Sequence, residues 1–141
     1  MKKINWGILG AARVNERLIP AIIKSKQGKL VAIASRRQNA AEECIKKYAP
    51  EYTQDIESHT GFDSILSNKE IDAIYIPLSN EEHTETALKA IRNKKHVLVE
   101  KPMAIKSKEV QHLIDEAKEN NVKIMEGFMY AFHPQFDRIQ N

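Results

Sequence analysis

Two charged residues followed by a proline, Glu100-Lys101-Pro102, could carry out acid–base chemistry. They come directly after the apolar run His96–Val99, where charges are costly to bury unless they serve a purpose. Pro102 restricts Lys101 to an extended backbone and so fixes the direction of its side chain, whether the peptide between them is cis or trans. The sequence therefore indicates a candidate acid–base lysine. The alternative is an ordinary loop that contains a Glu–Lys pair.

A run of small residues forms a second candidate segment, Gly10-Ala11-Ala12-Arg13-Val14, directly after the apolar run Ile4–Leu9. Small residues after a strand let backbone N–H groups and a helix N-terminus approach a pyrophosphate. Ala12 stands where a dinucleotide-binding turn has its second glycine, and Asn15 stands where it has its third. Ala12 still allows close approach, whereas Asn15 is a poorer fit for helix packing. A plain strand-to-helix turn is the alternative.

A third segment, Ser35-Arg36-Arg37, follows the apolar run Leu30–Ala34, about where a ribose-binding acid is expected. It holds no Asp or Glu. A hydroxyl and two guanidinium groups suit a 2′-phosphate instead, because arginine offers a planar fork to phosphate oxygens. The segment therefore favours NADP as the nucleotide. The alternative is a pair of arginines that are merely solvated at the end of a strand.

The fourth segment, Pro77-Leu78-Ser79-Asn80, precedes a helical pattern that carries His83. Ser79 or Asn80 can cap that helix, and Glu82 stands three residues beyond Ser79, as in a capping box. A loop at this place would also reach the nicotinamide ribose of a bound dinucleotide. For His83, the alternative to a role at the site is a surface histidine that makes ordinary polar contacts.

These segments need a scaffold, and apolar runs alternating with amphipathic stretches predict one. The runs predict strands at Ile4–Leu9, Leu30–Ala34, Tyr52–Gln54, Ile71–Ile76, His96–Val99 and Val122–Met125. The stretches predict helices at Arg13–Ser25, with a kink or late start at Pro20, at Asn39–Tyr48 and Gly61–Leu66, from Ser79 or Asn80, and at Ser107–Asn120.

Strands that are apolar on both faces and separated by helices predict a parallel sheet covered on both sides. Right-handed crossovers then give a doubly wound, three-layer α/β/α fold of the Rossmann type. In such folds the ligand lies outside the carboxyl ends of the strands. All four candidate segments follow predicted strands, so we expect them to meet at that edge.

Composition excludes several classes of function. The 141 residues suffice for one domain, and a net charge of +3 does not by itself indicate a nucleic-acid or membrane partner. Cys44 is the only cysteine, which suits a reducing compartment, and no signal peptide is evident, so we expect a cytoplasmic protein. We expect no metal site, because the histidines form no close ligand cluster; they are His59, His83, His96, His112 and His133.

Four blocks of sequence together resemble the Gfo/Idh/MocA (glucose–fructose oxidoreductase/inositol dehydrogenase) family. They are Trp6-Gly7-Ile8-Leu9-Gly10, Ile74-Tyr75-Ile76-Pro77-Leu78-Ser79-Asn80-Glu81-Glu82-His83, His96-Val97-Leu98-Val99-Glu100-Lys101-Pro102 and Glu126-Gly127-Phe128-Met129-Tyr130-Ala131-Phe132-His133-Pro134-Gln135. The Glu-Lys-Pro block, in register with the other three, is the specific one. The resemblance covers nearly the whole chain.

The resemblance implies a dehydrogenase that moves hydride between NADP or NAD and a carbinol or carbonyl of a sugar, polyol or related small molecule. Lys101 matches the family lysine that contacts substrate and assists proton movement. The remaining matches concern the nucleotide. Gly10, Ala12 and Arg13 match the pyrophosphate loop, and Ser35 and Arg36 match the residues nearest the adenosine ribose. Leu78, Asn80 and His83 match the loop beside the nicotinamide ribose, and Glu100 matches a residue that lies along the cofactor.

Two departures from the family pattern bear on function. The family often has arginine after the Met-Tyr pair near the nicotinamide, where this chain has Ala131. Family members also continue into a second α/β domain that completes the substrate pocket and through which they usually associate. We therefore expect a nucleotide-binding domain over residues 1–126 and the start of a connection over 127–141, where an apolar stripe is exposed; it comprises Phe132, Phe136 and Ile139.

Two functions remain open from the sequence. The first is the cofactor-binding part of an oxidoreductase, and we expect the 141-residue chain then to bind nucleotide but to turn over little or no substrate. The second is a non-catalytic nucleotide-binding or interaction module on the same fold, which the fold alone does not distinguish from the first. The oligomeric state is also open, with pairing through the exposed stripe as one outcome.

Overall fold

The computed structural model describes residues 3–140, apart from the side chains of Asp137 and Gln140. The two predicted segments, residues 1–126 and 127–141, include Met1, Lys2 and Asn141. These three residues lie outside the described residues. The strands are β1 (Ile4–Leu9), β2 (Gly28–Ser35), β3 (Glu57–Thr60), β4 (Ala73–Ile76), β5 (His96–Val99) and β6 (Ile124–Glu126). The helices are α1 (Asn15–Lys24), α2 (Ala40–Tyr48), α3 (Asp63–Ser67), α4 (Asn80–Arg92), α5 (Ser107–Glu119) and α6 (Pro134–Gln140), with short 3₁₀ turns at Pro50–Tyr52 and Met129–Phe132.

The six strands form one parallel sheet in the order β3-β2-β1-β4-β5-β6. The chain moves outward from β1 in one direction to β3 and then crosses to β4 and continues outward in the other direction. This reversal between β1 and β4 creates a crevice at the carboxyl ends of the central strands. The predicted doubly wound α/β fold is confirmed.

Alternate residues of each strand enter two separate cores, one on each face of the sheet. In β4, Ile74 and Ile76 pack under α3, α4 and α5, whereas Tyr75 packs on the other face beside α1 and α2. In β1, Leu9 packs in the core that contains Ile74, and Ile8 packs in the core that contains Tyr75. Burial on both faces explains why these strands are almost wholly apolar in sequence.

The prediction for the third strand was wrong. Tyr52–Gln54 does not form a strand, because Pro50 opens a helical turn that ends at Tyr52. The strand is Glu57–Thr60, which has few apolar residues and pairs only with β2, at the edge of the sheet. An edge strand packs fewer apolar side chains, so its sequence carries little periodic signal.

Pro20 does not delay α1. The helix begins at Asn15 and runs through Pro20 to Lys24, which excludes the late start and leaves the kink as the remaining expectation. The apolar stripe expected near the carboxyl terminus is divided between two elements: Phe132 belongs to the 3₁₀ turn, while Phe136 lies on α6 against Tyr130, with ring centroids 5.7 Å apart. Phe132 and Ile139 are both largely exposed.

Candidate functional site

Loops from three neighbouring strands surround a cavity of about 240 Å³ at the carboxyl edge of the sheet. The loop after β1 supplies Gly10, Ala11 and Ala12, and the loop after β2 supplies the whole Ser35–Arg37 segment. The loop after β4 supplies the third wall; with Phe62 and Glu82, the remaining lining residues are Pro77, Leu78 and Ser79. The first cavity, as we call it, lies at the crevice that the strand order creates.

Gly10 allows the loop after β1 to pass close to the loop after β4. Its φ angle of +132° favours glycine, and a Cβ atom at this position would lie 2.9 Å from Cδ2 of Leu78. Its N–H donates to the carbonyl oxygen of Ala34 over 2.8 Å, which ties the loop to β2. The wall of the first cavity at this place is therefore backbone, without a side chain between it and a ligand.

Asn15 holds this loop in place from below. It is fully buried, and its Nδ2 donates to the carbonyl oxygen of Gly10 over 2.8 Å and to Sγ of Cys44 over 3.4 Å. Asn15 was expected to fit poorly at a glycine position; its Nδ2 satisfies the buried Gly10 carbonyl, while its own buried Oδ1 has no hydrogen-bond partner among the described residues. Burial of the Cys44 thiol raises its pKa, although the bond from Asn15 partly offsets this effect.

Arg13 and Val14 lie away from the first cavity. Arg13 is exposed and faces a neighbouring depression beside α2, which it shares with Arg37. Val14 faces the opposite side of the loop, towards a second cavity described below. Of the five residues predicted in this loop, three therefore line the first cavity.

The segment after β2 presents a hydroxyl and two guanidinium groups, as the sequence predicted. Oγ of Ser35 accepts a hydrogen bond from the N–H of Arg37 over 3.2 Å, which turns the chain at this point. The guanidinium of Arg36 lies 5.8 Å from the ring centroid of Phe62, and its Nη1 lies 2.5 Å from Oε1 of Glu82. The ion pair between Arg36 and Glu82 was not predicted from the sequence.

Glu82 faces the first cavity, and the predicted capping box with Ser79 forms only in part, because the Glu82 carboxylate accepts from the Ser79 backbone while the Ser79 hydroxyl caps no N–H. Ser79 occupies the N-cap position of α4, but its hydroxyl donates to Oε2 of Glu82 over 2.6 Å and makes no bond to a backbone N–H. These bonds, first that from Ser79 and then the contact with Arg36, lower the pKa of the Glu82 carboxyl. Asn80 is the first residue of α4, is exposed and does not line the first cavity.

His83 joins the loop after β4 to the loop after β5. The ring is fully buried, so the alternative of a surface histidine does not hold. Nδ1 lies 2.7 Å from the carbonyl oxygen of Pro102, and Nε2 lies 3.0 Å from that of Leu78. Carbonyl oxygens only accept hydrogen bonds, so the tautomer of the ring decides which of the two contacts is donated. His83 positions the two loops and does not line a described cavity.

Glu100 and Lys101 have different surroundings. Oε1 of Glu100 accepts a hydrogen bond from the phenol of Tyr75 over 2.7 Å. Burial of Tyr75, followed by this bond and by the charge of Glu100, raises the pKa of the Tyr75 hydroxyl far above its usual range. Lys101, in contrast, is exposed, and within the described part of the chain no carboxylate forms an ion pair with it. The Lys101–Pro102 peptide is cis.

A second cavity of about 260 Å³ lies on the α1 face of the sheet and is bordered by Glu100. Its walls are otherwise mainly apolar; they include Val14, Leu18, Leu98, Met125, Phe128, Met129 and Phe132. Met125 and Phe132 remain substantially exposed, at 46% and 72%. We call this open surface the apolar face; α1 borders it through Leu18 and does not cover it.

Sequence reasoning missed three residues that shape the site, namely Phe62, Tyr75 and Glu82. Tyr75 was the one polar-tipped residue in an otherwise aliphatic strand, and this was a usable signal. Glu82 was recognised only as a helix-capping partner, because its contact with Arg36 depends on the order of the strands. Phe62 carried no signal in the sequence.

The described residues offer neither a membrane-crossing helix nor a metal cluster. Among residues 3–140, no helix has the length and apolarity that crossing a bilayer requires. Over the same range, no three His, Cys, Asp or Glu side chains lie close enough together to hold a metal ion.

Comparison with known proteins identifies the family of this fold. The model of an oxidoreductase family with an NAD-binding Rossmann fold, Gfo/Idh/MocA, matches residues 4–128. An uncharacterized oxidoreductase of Rhizobium meliloti, ORF334, is 36% identical over 99% of the chain and 40% of its own length. The D-xylose 1-dehydrogenase (NADP(+)) 2 of Haloferax volcanii is 29% identical over 94% of the chain and 39% of its own length.

A solved structure gives the same result. The 3-ketoreductase of Actinomadura kijaniata, in complex with NADP and TDP-benzene, superposes with a TM-score of 0.89 at 31% identity. The superposition covers 98% of this chain and 41% of that chain. The chain thus spans about two fifths of the length of these relatives. By the match over residues 4–128, the chain belongs to the Gfo/Idh/MocA oxidoreductase family and carries its NAD-binding Rossmann fold.

Proposed function

We propose that this chain binds NADP(H), in preference to NAD(H), as the cofactor-binding part of an oxidoreductase. The reaction is hydride transfer between the nicotinamide and a carbinol or carbonyl of a sugar, polyol or related small molecule. The observation that carries the proposal is the first cavity, in which backbone from the Gly10 loop faces the guanidinium of Arg36 across the crevice of a doubly wound sheet. The family of the chain supports this reaction class.

The residues of the first cavity fit the adenosine end of a dinucleotide. Gly10 and Ala12 leave the backbone open to a pyrophosphate, and the N-terminus of α1 follows directly. The N–H groups of Asn15, Glu16 and Arg17 already donate to the carbonyls of Ala12, Arg13 and Val14 over 3.1 Å, so it is the positive end of the helix dipole that favours an anion here. Ser35 and Arg36 lie at the end of β2, where the adenosine ribose is held in such folds. A cavity of 240 Å³ accommodates part of a dinucleotide, and we assign it to the adenosine part.

The proposed preference for NADP rests on Arg36 and Arg37. Both guanidinium groups border the first cavity, and the Ser35–Arg37 segment itself holds no acid, although Glu82 of α4 pairs with Arg36. Arginine binds phosphate oxygens through two parallel N–H bonds, which a ribose hydroxyl cannot match. The solved relative from Actinomadura kijaniata binds NADP, and this supports the same preference here.

We propose Lys101 as the catalytic residue of the complete enzyme. When bound, the nicotinamide ring supplies the carbon that gives or takes the hydride. The Lys101 side chain is exposed at the carboxyl end of β5 and is free to donate to a substrate oxygen. The three N–H donors of a lysine ammonium suit hydrogen bonding to a substrate oxygen and proton transfer to it. His83, through Pro102, fixes the loop from which Lys101 projects.

The domain arrangement is also a proposal. We assign residues 1–126 to the nucleotide-binding domain and residues 127–141 to a connection leading into a second, substrate-binding domain. The apolar face supports this assignment, because Met125, Phe128 and Met129 form an exposed apolar surface beside the connection. Surfaces of this kind mark interaction sites in soluble proteins.

We also propose a cytoplasmic location. Cys44 is buried and unpaired, and free thiols persist in reducing compartments. Fractionation of cells that express the tagged chain tests this location directly, and recovery in an oxidising compartment would contradict it.

The proposed function is tested by calorimetric titration of the purified 141-residue chain with NADP⁺ and NAD⁺. We expect NADP⁺ to bind more tightly and Arg36→Ala to weaken NADP⁺ by roughly tenfold or more while changing NAD⁺ little. Arg92→Ala is the matched control, because Arg92 is an exposed arginine at the far end of α4 that pairs with Glu116. It changes the net charge equally and should not change the preference.

Two outcomes would overturn the proposal. If folded wild-type chain binds neither nucleotide, the site does not serve a dinucleotide. If both bind equally and Arg36→Ala has no effect, the assignment of the 2′-phosphate fails. A separate assay with a panel of sugars and polyols tests the domain proposal, because steady NADP⁺ reduction by the 141-residue chain would contradict the need for a second domain.

A further inference from the structure

The ion pair between Arg36 and Glu82 joins two parts of the first cavity. Arg36 comes from the end of β2 and Glu82 from the first turn of α4, and Nη1 and Oε1 lie 2.5 Å apart. The second carboxylate oxygen of Glu82 accepts the hydroxyl of Ser79 over 2.6 Å. Both oxygens of Glu82 are therefore engaged, and the carboxylate has a defined position in the wall of the first cavity.

The guanidinium of Arg36 is held from two sides. The ring of Phe62 lies 5.8 Å away on one side, and Glu82 accepts from it on the other. The Arg36 side chain is nevertheless 63% exposed and that of Glu82 is 27% exposed. A pair that is this open to water contributes little to folding, so its members can exchange partners at small cost.

We infer that Glu82 is a selectivity-determining residue, which favours NAD over NADP by occupying the guanidinium that a 2′-phosphate would use. This inference rests on the proposed function, because it assigns the first cavity to the adenosine ribose. A phosphomonoester carries a charge of about −1.5 to −2 near neutral pH. To reach Arg36 it must displace the Glu82 carboxylate or lie beside it, and both are unfavourable.

The same carboxylate has the opposite effect on NAD. A ribose 2′-hydroxyl is a donor, and a carboxylate oxygen is a strong acceptor for it. Arg36 and Glu82 therefore act on the two cofactors in opposite directions. The sequence places no acid at the end of β2, where one is expected for NAD, and the structure supplies one from α4 instead.

The test uses 2′,5′-ADP (adenosine 2′,5′-bisphosphate) and 5′-AMP as probes, because these two compounds differ only in the 2′-phosphate. Each is titrated by calorimetry into the full 141-residue chain as wild type, Glu82→Gln and Glu85→Gln. Glu85 lies on the same helix, pairs with Lys89 at 2.7 Å and is 77% exposed. Glu85→Gln therefore changes the net charge by the same amount, away from the first cavity.

We expect Glu82→Gln to raise the ratio of 2′,5′-ADP affinity to 5′-AMP affinity about fivefold, as loss of one weak competing ion pair predicts. Glu85→Gln should leave the ratio unchanged. Because Glu82→Gln keeps the shape of the side chain and the pair is exposed, we expect its thermal midpoint to stay near that of the wild type.

The contrary outcomes are distinguishable. If wild type binds both probes and Glu82→Gln shifts the ratio no more than Glu85→Gln does, the inference about Glu82 is overturned and the proposed function stands. If the ratio falls in Glu82→Gln, Glu82 supports phosphate binding and the inference is likewise overturned. If folded wild type binds neither probe nor either dinucleotide, the proposed function fails together with the inference.

Discussion

The side-chain amide of Asn15 donates a hydrogen bond to the carbonyl oxygen of Gly10 over 2.8 Å, inside the protein and directly beneath the turn after β1. The turn therefore depends on a polar residue at a position where the usual pattern has glycine. Its backbone conformation is fixed from within the core, before any ligand is considered.

We expect Asn15→Ala to lower the free energy of unfolding by about 1–3 kcal/mol, because the buried Gly10 carbonyl loses its described donor from Asn15. Asn93→Ala is the control, since Asn93 makes the same kind of bond to the Lys89 carbonyl, 2.8 Å away, in an exposed position. That variant should change stability by no more than about 0.5 kcal/mol. Urea denaturation measures both, and equal losses would show that burial of the bond is irrelevant.

Gly10→Ala should be more damaging than Gly61→Ala. Both glycines have positive φ angles, of +132° and +82°, so each substitution strains the backbone by about 1–3 kcal/mol. Only at Gly10 would the added Cβ also meet a neighbour, Cδ2 of Leu78, at 2.9 Å. We expect Gly10→Ala to weaken nucleotide binding as well, because the loop must shift. Thermal denaturation and calorimetry of both variants test this, and an unchanged affinity for Gly10→Ala would contradict the assigned role of the loop.

The Tyr75–Glu100 contact makes stability depend on alkaline pH. The pKa of Tyr75 is raised in the folded chain, so its contribution is complete below the ordinary value of about 10 and is lost as pH rises above it. We expect Tyr75→Phe to cost about 1–3 kcal/mol at neutral pH, because Glu100 loses a donor. The difference from wild type should shrink above pH of about 10. Denaturation at several pH values measures it; Tyr52→Phe, at an exposed position, is the control.

Removal of the His83 ring should loosen both loops that it joins. His83→Leu fills a similar space but removes the ring donor that faces the carbonyls of Leu78 and Pro102, at a cost of about 1–3 kcal/mol. We also expect weaker binding of NADP⁺, because Leu78 lines the first cavity. His112→Leu replaces an exposed histidine and should change neither property. A stable His83→Leu protein with unchanged affinity would exclude a positioning role.

Much of the fold follows from local sequence, and two elements show why. The strands β1 and β5 have the predicted bounds, because residues buried on both faces leave an uninterrupted apolar run. The edge strand β3 was misplaced by several residues, because its pairing with β2 stabilises a polar segment that has no periodic pattern of its own. The missing information is the partner strand, which lies elsewhere in the chain.

The site likewise combines features that local sequence predicts with a contact that it does not predict. The backbone wall at Gly10 and the guanidinium of Arg36 were predicted, since each depends on a residue type that directly follows a strand. The contact of Arg36 with Glu82 was not, because it depends on which strands are neighbours. Local rules assigned Glu82 only to a capping box with Ser79, and its contact with Arg36 is made in addition to its contacts with Ser79.

The strand order has a consequence for synthesis on the ribosome. The central strand β1 is made first, yet one of its two neighbours, β4, emerges only after β2 and β3 have been completed. The first cavity needs residues from Gly10 to Glu82, so a nascent chain that has released only its first three strands has no complete first cavity. Ligand binding therefore cannot guide early folding of this domain. It can stabilise only a chain in which α4 has already formed.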